Sequence, residues 1–178
     1  MRALLLDRDG VINHDSPDFI RSVEDFLPLP GALDAIVRAE RAGFRVIVVS
    51  NQSGLARGLL GMRELNAIHR RLQDELERMG ARIEAFFFCP HGPDDGCDCR
   101  KPAGGLLRTL AVRLGIDLAA TPFVGDRVTD AAAARSVGAR PLLVRTGLAP
   151  LDPAALAALG AIETFDDLGA AVDALLAC

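Results

Sequence analysis

Residues 3–10 read Ala3-Leu4-Leu5-Leu6-Asp7-Arg8-Asp9-Gly10. An unbroken apolar run leads straight into two carboxylates and a glycine. An apolar run without alternation is the pattern of a short strand covered on both faces, as in a parallel sheet. In open parallel sheets ligands bind beyond the carboxyl ends of the strands. Asp7 and Asp9 would stand at such an edge.

The rest of the chain supplies the other strands. Residues 31–42 carry Leu33, Ile36 and Val37 at helical spacing before Gly43. Residues 45–51 are apolar and β-branched through their middle, and predict a second buried strand. Residues 62–79 place Leu65, Ile68, Leu72, Leu76 and Met79 on one helical stripe ahead of Gly80. Residues 83–89, 122–126 and 140–146 read as strands three to five, and 161–165 as a sixth. Residues 105–114, 128–137 and 167–177 read as helices, and 148–160 as a linker or a short helix. Repeated β–α units predict an α/β fold: a three-layer, Rossmann-like, mainly parallel sheet with helices on both faces.

Composition bounds the function. The chain has 178 residues, which fits one domain over residues 1–178. Its net charge of −4 gives no reason to expect a nucleic-acid partner, and with no Trp or Tyr a base-stacking platform would rest on Phe alone. No run approaches the roughly 18 apolar residues of a membrane span. Residues 1–6 hold no secretory apolar region, so a reducing cytoplasm and no membrane partner are expected, with the protein a monomer. There, clustered Cys more often means metal or catalysis than disulfides.

The acids recur at strand ends. Asp126 follows the fourth strand, with Asp130 four residues later. If the first and fourth strands are central and parallel, Asp7, Asp9, Asp126 and Asp130 converge, and such a group needs a cation. A hard ion such as Mg²⁺ fits, since it binds through a few carboxylates plus substrate phosphate. Ser50-Asn51 adds a hydroxyl and an amide at the second strand end, and Arg100-Lys101-Pro102 adds two cations before a helix, all suited to phosphate oxygens.

These residues resemble the haloacid-dehalogenase (HAD) superfamily of phosphatases. Asp7-Arg8-Asp9-Gly10-Val11-Ile12-Asn13 looks like the first family motif, and Ser50-Asn51-Gln52-Ser53-Gly54 resembles the second. Lys101 resembles the third, and Gly125-Asp126 with Asp130 the fourth. The resemblance runs from about residue 3 to 147. It implies that Asp7 attacks phosphorus, that Asp9 protonates the leaving alkoxide and then activates water, and that Ser50 and Lys101 stabilise the transferring phosphoryl group. Mg²⁺ would be held by Asp7, Asp126 and the backbone carbonyl of Asp9, with Asp130 behind them. Phosphoryl transfer of this kind rests on positioning and charge neutralisation.

Cys89-Pro90-His91 and Cys97-Asp98-Cys99 form a C-x-H…C-x-C set. Three thiolates and an imidazole complete a tetrahedral Zn²⁺ shell with no open position, the mark of a structural ion. Buried free Cys with a surface His, or a redox pair, are the alternatives. Cys178 stands apart as a bystander. A zinc loop over residues 89–99 would stiffen the segment that presents Arg100 and Lys101.

A zinc loop in a HAD-like phosphatase resembles the D-glycero-D-manno-heptose-1,7-bisphosphate 7-phosphatase group and its histidinol-phosphate phosphatase relatives. Residues 52–58 and 97–102 are closest to the heptose branch. That resemblance implies release of the 7-phosphate of the heptose bisphosphate, with substrate contacts at Asp15, Asn51, Gln52, Ser53, Arg57, Arg100 and Arg127. It departs from the group at Phe19, where a Tyr is common, and at Arg127, where a Lys is common. Neither the stretch after Asp9 nor that after residue 51 has room for a cap domain. Histidinol phosphate is the alternative substrate. A receiver-like phospho-Asp signalling module is the alternative from another class, although its Asp would stand on the third strand, where this chain has Cys89.

Overall fold

The computed structural model describes residues 2–177, so Cys178 lies outside the described residues. Six strands form one parallel sheet in the order β3-β2-β1-β4-β5-β6. They are β1 (Arg2–Leu6), β2 (Phe44–Asn51), β3 (Ala85–Cys89), β4 (Pro122–Gly125), β5 (Arg140–Val144) and β6 (Glu163–Phe165). Among the helices are α1 (Ala32–Arg41), α2 (Met62–Arg78), α3 (Gly105–Leu114), α4 (Val128–Ser136), α5 (Pro153–Ala158) and α6 (Leu168–Leu176).

The alternation of side chains along each strand divides the interior in two. Leu4, Leu6, Val46, Val48, Val124, Leu142 and Val144 face one layer, filled from α1, α2 and α6 by residues such as Ile36, Leu65, Ile68, Leu72 and Val172. Ala3, Leu5, Ile47, Val49 and Phe123 face the other, filled by Leu106, Leu107 and Leu110 of α3 and Ala133 and Ala134 of α4. Leu4, Leu5 and Leu6 are wholly buried, as the opening run requires.

Register places the site. Leu6 pairs with Val48 on one side and Val124 on the other. The Asp7 N–H then donates to the Val124 carbonyl at 2.9 Å, so Asp7 leaves the sheet beside Gly125 and Asp126. Asn51 pairs with Cys89, which sets the Ser50 end of β2 beside the Cys/His segment.

The differences from the sequence reading are local. β3 starts at Ala85 rather than 83, because the Ile83 N–H donates to the Gln73 side chain of α2 instead of the ladder. β5 stops at Val144; Thr146 turns its hydroxyl to the Gly10 carbonyl at 2.6 Å. Residues 148–160 contain α5, with Pro153 in its first turn and Asp152 accepting from the Ala154 N–H. A 3₁₀ turn at Leu118–Ala120, capped by Asp117, escapes the sequence reading, since three residues show no periodicity. Among the described residues no helix or strand is inserted between β1 and α1, nor between β2 and α2, and no cap domain is found there.

Leu72 is fully buried in the α2 layer. Leu72→Ala should cost about 2–5 kcal/mol of unfolding free energy, read as a lower denaturant midpoint at unchanged slope.

Candidate active site

The ends of β1, β2 and β4 open on a cavity of about 450 Å³. Asp7, Asp9, Asn51, Gln52, Ser53, Lys101 and Asp130 line it, with Asp15, Arg100 and Arg127 nearer the rim. Strand ends deliver most of these groups. Lys101 arrives on the segment before α3, behind a cis Lys101–Pro102 peptide.

Lys101 is the centre. Its side chain is 2 % exposed and its Nζ lies 2.8 Å from Asp7 Oδ2, 2.7 Å from Asp130 Oδ1 and 3.1 Å from the Val49 carbonyl. One of its donors bonds the Val49 carbonyl, and its charge is paired with two carboxylates. Burial works against its charge, but Asp130 and Asp7 outweigh burial and raise its pKa above the ordinary value. The Asn51 amide holds the Lys101 backbone from both sides, its Nδ2 donating to the carbonyl at 3.0 Å and its Oδ1 accepting from the N–H at 3.1 Å.

The acids at the ends of β1 and β4 crowd one another. Carboxylate oxygens of Asp7, Asp126 and Asp130 lie within 4.8 Å of each other, and all three residues are buried. Burial, then Asp130 and Asp9 nearby, push Asp7 up to about 7 against the opposing pull of Lys101. Burial, then Asp7 and Asp130, push Asp126 up to about 8. Asp126 Oδ1 is buried with no hydrogen-bond partner. A side chain at Gly10, whose φ is +80°, or at Gly147 would collide with the Asp126 carboxylate, so the backbone closes on it from both sides. Converging hard oxygens with an unused lone pair fit a divalent cation. Asp130 also caps α4, its Oδ2 accepting from the Arg127 N–H at 2.9 Å.

Asp9 behaves in the opposite way. Burial pushes its carboxyl up, but the Arg8 charge and hydrogen bonds from Asn13, Gln52 and Arg8 prevail and hold it below the usual range. Arg8 reaches it through Nε and Nη2, both at 2.9 Å. Asn13 donates to Oδ1 at 2.9 Å and Gln52 to Oδ2 at 3.1 Å.

The remaining sequence candidates are placed as follows. Ser50 is 1 % exposed and its hydroxyl has no partner. Ser53 is buried on the cavity wall. Arg127 pairs with Asp15 at 2.5 Å across the rim. Arg100 donates to the His91 carbonyl at 3.2 Å and lines the cavity. Arg57 is not among the lining residues; its guanidinium sits 5.7 Å from the centre of the Phe19 ring, which does line the cavity. The sequence reading assigned nothing to Thr129 and Leu148, also on the wall, nor any partner to Arg8 and Asn13.

Cys89, His91, Cys97 and Cys99 gather their ligand atoms within 4.8 Å. The thiol sulfurs of Cys89 and Cys97 are 3.7 Å apart and those of Cys89 and Cys99 3.2 Å, too far for a disulfide. His91 Nδ1 lies 3.6 Å from Cys89 and 3.2 Å from Cys99. Arms of about 2.3 Å to a tetrahedral zinc give sulfur–sulfur edges near 3.7 Å, so the donor set fits that ion.

Comparison with known proteins gives a consistent answer. A family model described as HAD-hydrolase-like matches residues 98–171. The chain is 45 % identical to the D-glycero-β-D-manno-heptose-1,7-bisphosphate 7-phosphatase of Pseudomonas aeruginosa, over 97 % of each chain. It is 50 % identical to the enzyme of that name from Bordetella bronchiseptica, over 83 % of this chain and 82 % of the other. A crystal structure of the B. bronchiseptica D,D-heptose 1,7-bisphosphate phosphatase, complexed with magnesium and phosphate, superposes with a TM-score of 0.92 at 45 % identity, covering 99 % of both chains.

The raised carboxyls set a pH dependence. A group whose folded pKa exceeds its unfolded value stabilises the fold below the unfolded pKa and loses that contribution as pH rises through the folded one. Metal-free protein should therefore lose stability between about pH 5 and pH 8 as Asp7 and Asp126 are forced to ionise. In thermal melts across that range, Asp126→Asn should show a shallower decline than the parent.

Proposed function

The chain belongs to the D-glycero-β-D-manno-heptose-1,7-bisphosphate 7-phosphatases, HAD-like hydrolases, and we propose that it removes the 7-phosphate of that sugar bisphosphate with Mg²⁺ bound. The observation that carries this reading is the meeting of Asp7, Asp9, Lys101 and Asp126 at one end of the sheet, beside a cavity of about 450 Å³.

In the first step a carboxylate oxygen of Asp7 attacks phosphorus. An O–P bond forms to Asp7, the bond from phosphorus to the sugar oxygen breaks, and Asp9 gives that oxygen its proton. In the second step Asp9 takes a proton from water. The water oxygen attacks phosphorus, the O–P bond to Asp7 breaks, and inorganic phosphate leaves. Splitting the displacement lets one pocket serve both halves. Lys101 already touches Asp7 and so faces the oxygens that gather negative charge, and the unpartnered Ser50 hydroxyl is free to donate to one of them. Asp7, Asp126 and the Asp9 backbone carbonyl would hold Mg²⁺, with Asp130 behind them, and the bound ion would neutralise charge on the transferring group.

In and around the cavity, Asp15, Ser53, Arg57, Arg100 and Arg127 are the groups we assign to the sugar and its second phosphate. Asn51 acts through the Lys101 backbone and Gln52 through Asp9. Cys89, His91, Cys97 and Cys99 hold a structural zinc. The chain works as one domain, residues 1–178, and as a cytoplasmic monomer with no nucleic-acid partner. No described helix is long and apolar enough to cross a membrane.

Phosphate release is measured on the α and β anomers of heptose 1,7-bisphosphate and on histidinol phosphate. The highest kcat/KM is expected on the β anomer, and preference for histidinol phosphate would overturn the substrate. Asp7→Asn should lower kcat by about 10⁴-fold or more; turnover at the parent rate would sink the mechanism. Elemental analysis of purified protein should find about one zinc per chain. Cys97→Ser should lower both zinc content and Tm, and an unchanged zinc content would remove the metal from that loop.

A further inference from the structure

Arg8 is a cation with no exposure at all, set between two acids that the reaction uses. Its guanidinium makes a planar two-point contact with Asp9 through Nε and Nη2, both at 2.9 Å, and its Nη2 also donates to Gln52 Oε1 at 3.4 Å. Its Nη1 is buried without a partner. A buried ion pair is weak support for a fold, since an apolar pair of similar volume often does as well or better. Stability therefore gives little reason for a wholly buried guanidinium with one nitrogen unsatisfied.

The contacts on Asp9 give a better one. Oδ1 accepts from Arg8 Nε and Asn13, and Oδ2 from Arg8 Nη2 and Gln52. A carboxylate offers about four acceptor directions, and all are filled. It can carry a proton only when one donor withdraws. Arg8 and Asn13 are fully buried, and only Gln52 lies on the cavity wall, with the longest of the four bonds.

We propose that Arg8 is a positioning residue that fixes the plane of the Asp9 carboxylate, and that Gln52 is the donor that yields when substrate enters, freeing Oδ2 toward the leaving oxygen. This rests on the acid role given to Asp9 above. Arg8 acts through Asp9 alone, so its loss falls on protonation of the leaving group and not on attack by Asp7.

Two substrates separate those steps. A sugar phosphate leaves as a poor alkoxide and needs the proton; p-nitrophenyl phosphate leaves as a stabilised phenolate and needs it little. Arg8→Lys keeps the charge but loses the fork. The ratio of sugar-phosphate to aryl-phosphate kcat should fall at least tenfold in Arg8→Lys, with KM for the sugar phosphate changing less than threefold. General acid catalysis is worth about 10²–10⁴-fold, which sets the upper limit. Gln52→Met, on the cavity wall, leaves the Arg8 fork on Asp9 intact and removes only the donor that must yield, so it should not lower the ratio. Asp9→Asn is the control. If it shifts the ratio while Arg8→Lys lowers the two activities equally or leaves both unaltered, Arg8 has no such role; if Gln52→Met lowers the ratio as Arg8→Lys does, Gln52 is not the donor that yields. If Asp9→Asn itself leaves the ratio unmoved, the acid role of Asp9 is what fails.

Discussion

One ammonium group holds the site together. Lys101 Nζ joins the Val49 carbonyl on β2, Asp7 after β1 and Asp130 in α4 after β4. Three separate strand ends are thus fixed to a single atom. Without that charge Asp7, Asp126 and Asp130 would face one another across less than 4.8 Å with little to oppose their repulsion. Buried charges persist only when paired, and this lysine has two carboxylates and a carbonyl within 3.1 Å. The parallel register makes the arrangement possible, since pairing Leu6 with both Val48 and Val124 brings the strand ends level.

The same edge then drives two carboxyls apart. Asp7 is raised to about 7, mainly by burial, while Asp9 two residues later is held low by Arg8, Asn13 and Gln52. Without a cation these shifts run against the roles proposed for the two acids, and a divalent ion beside Asp7 would favour its charged form. The division arises from chain direction. Asp7 still belongs to the sheet, where its N–H completes the ladder to Val124. Asp9 has entered the loop, where Asn13 and Gln52, just past β2, can reach it.

How much of this could be read from residues alone depended on periodicity and on locality. The strands that matter were legible because apolar runs end in acid at Asp7 and Asp126, and a parallel sheet gathers such ends. The Cys/His cluster was legible because its four residues fall within residues 89–99 and their side-chain chemistry is distinctive. Arg8 was not, because one cation between two acids in a turn resembles a solvated residue until its burial is known. Asn51 and Gln52 read as substrate groups, yet their amides turn to Lys101 and Asp9. Side-chain direction in an irregular loop follows no period, so no pattern of spacing could have revealed those partners.

Precision in such a site depends on how firmly the Lys101 segment is tied. The Gly105 N–H donates to the Asp98 carbonyl at 2.9 Å, and a side chain at Gly105 would run into Asp98, so the segment closes tightly at the start of α3. Arg100 reaches back to the His91 carbonyl, and Asn51 grips the Lys101 backbone on both sides. Cys99, two residues before Lys101, belongs to the Cys/His cluster. A cation anchored from the sheet, the helix and the cysteine cluster has little freedom left to lose when charge develops beside it. Preorganised charge stabilises a transition state without further reorganisation, which is where much of catalytic power lies. The cysteine cluster, remote from the reacting atoms in chemistry, is therefore joined to them by two peptide units and a shared loop.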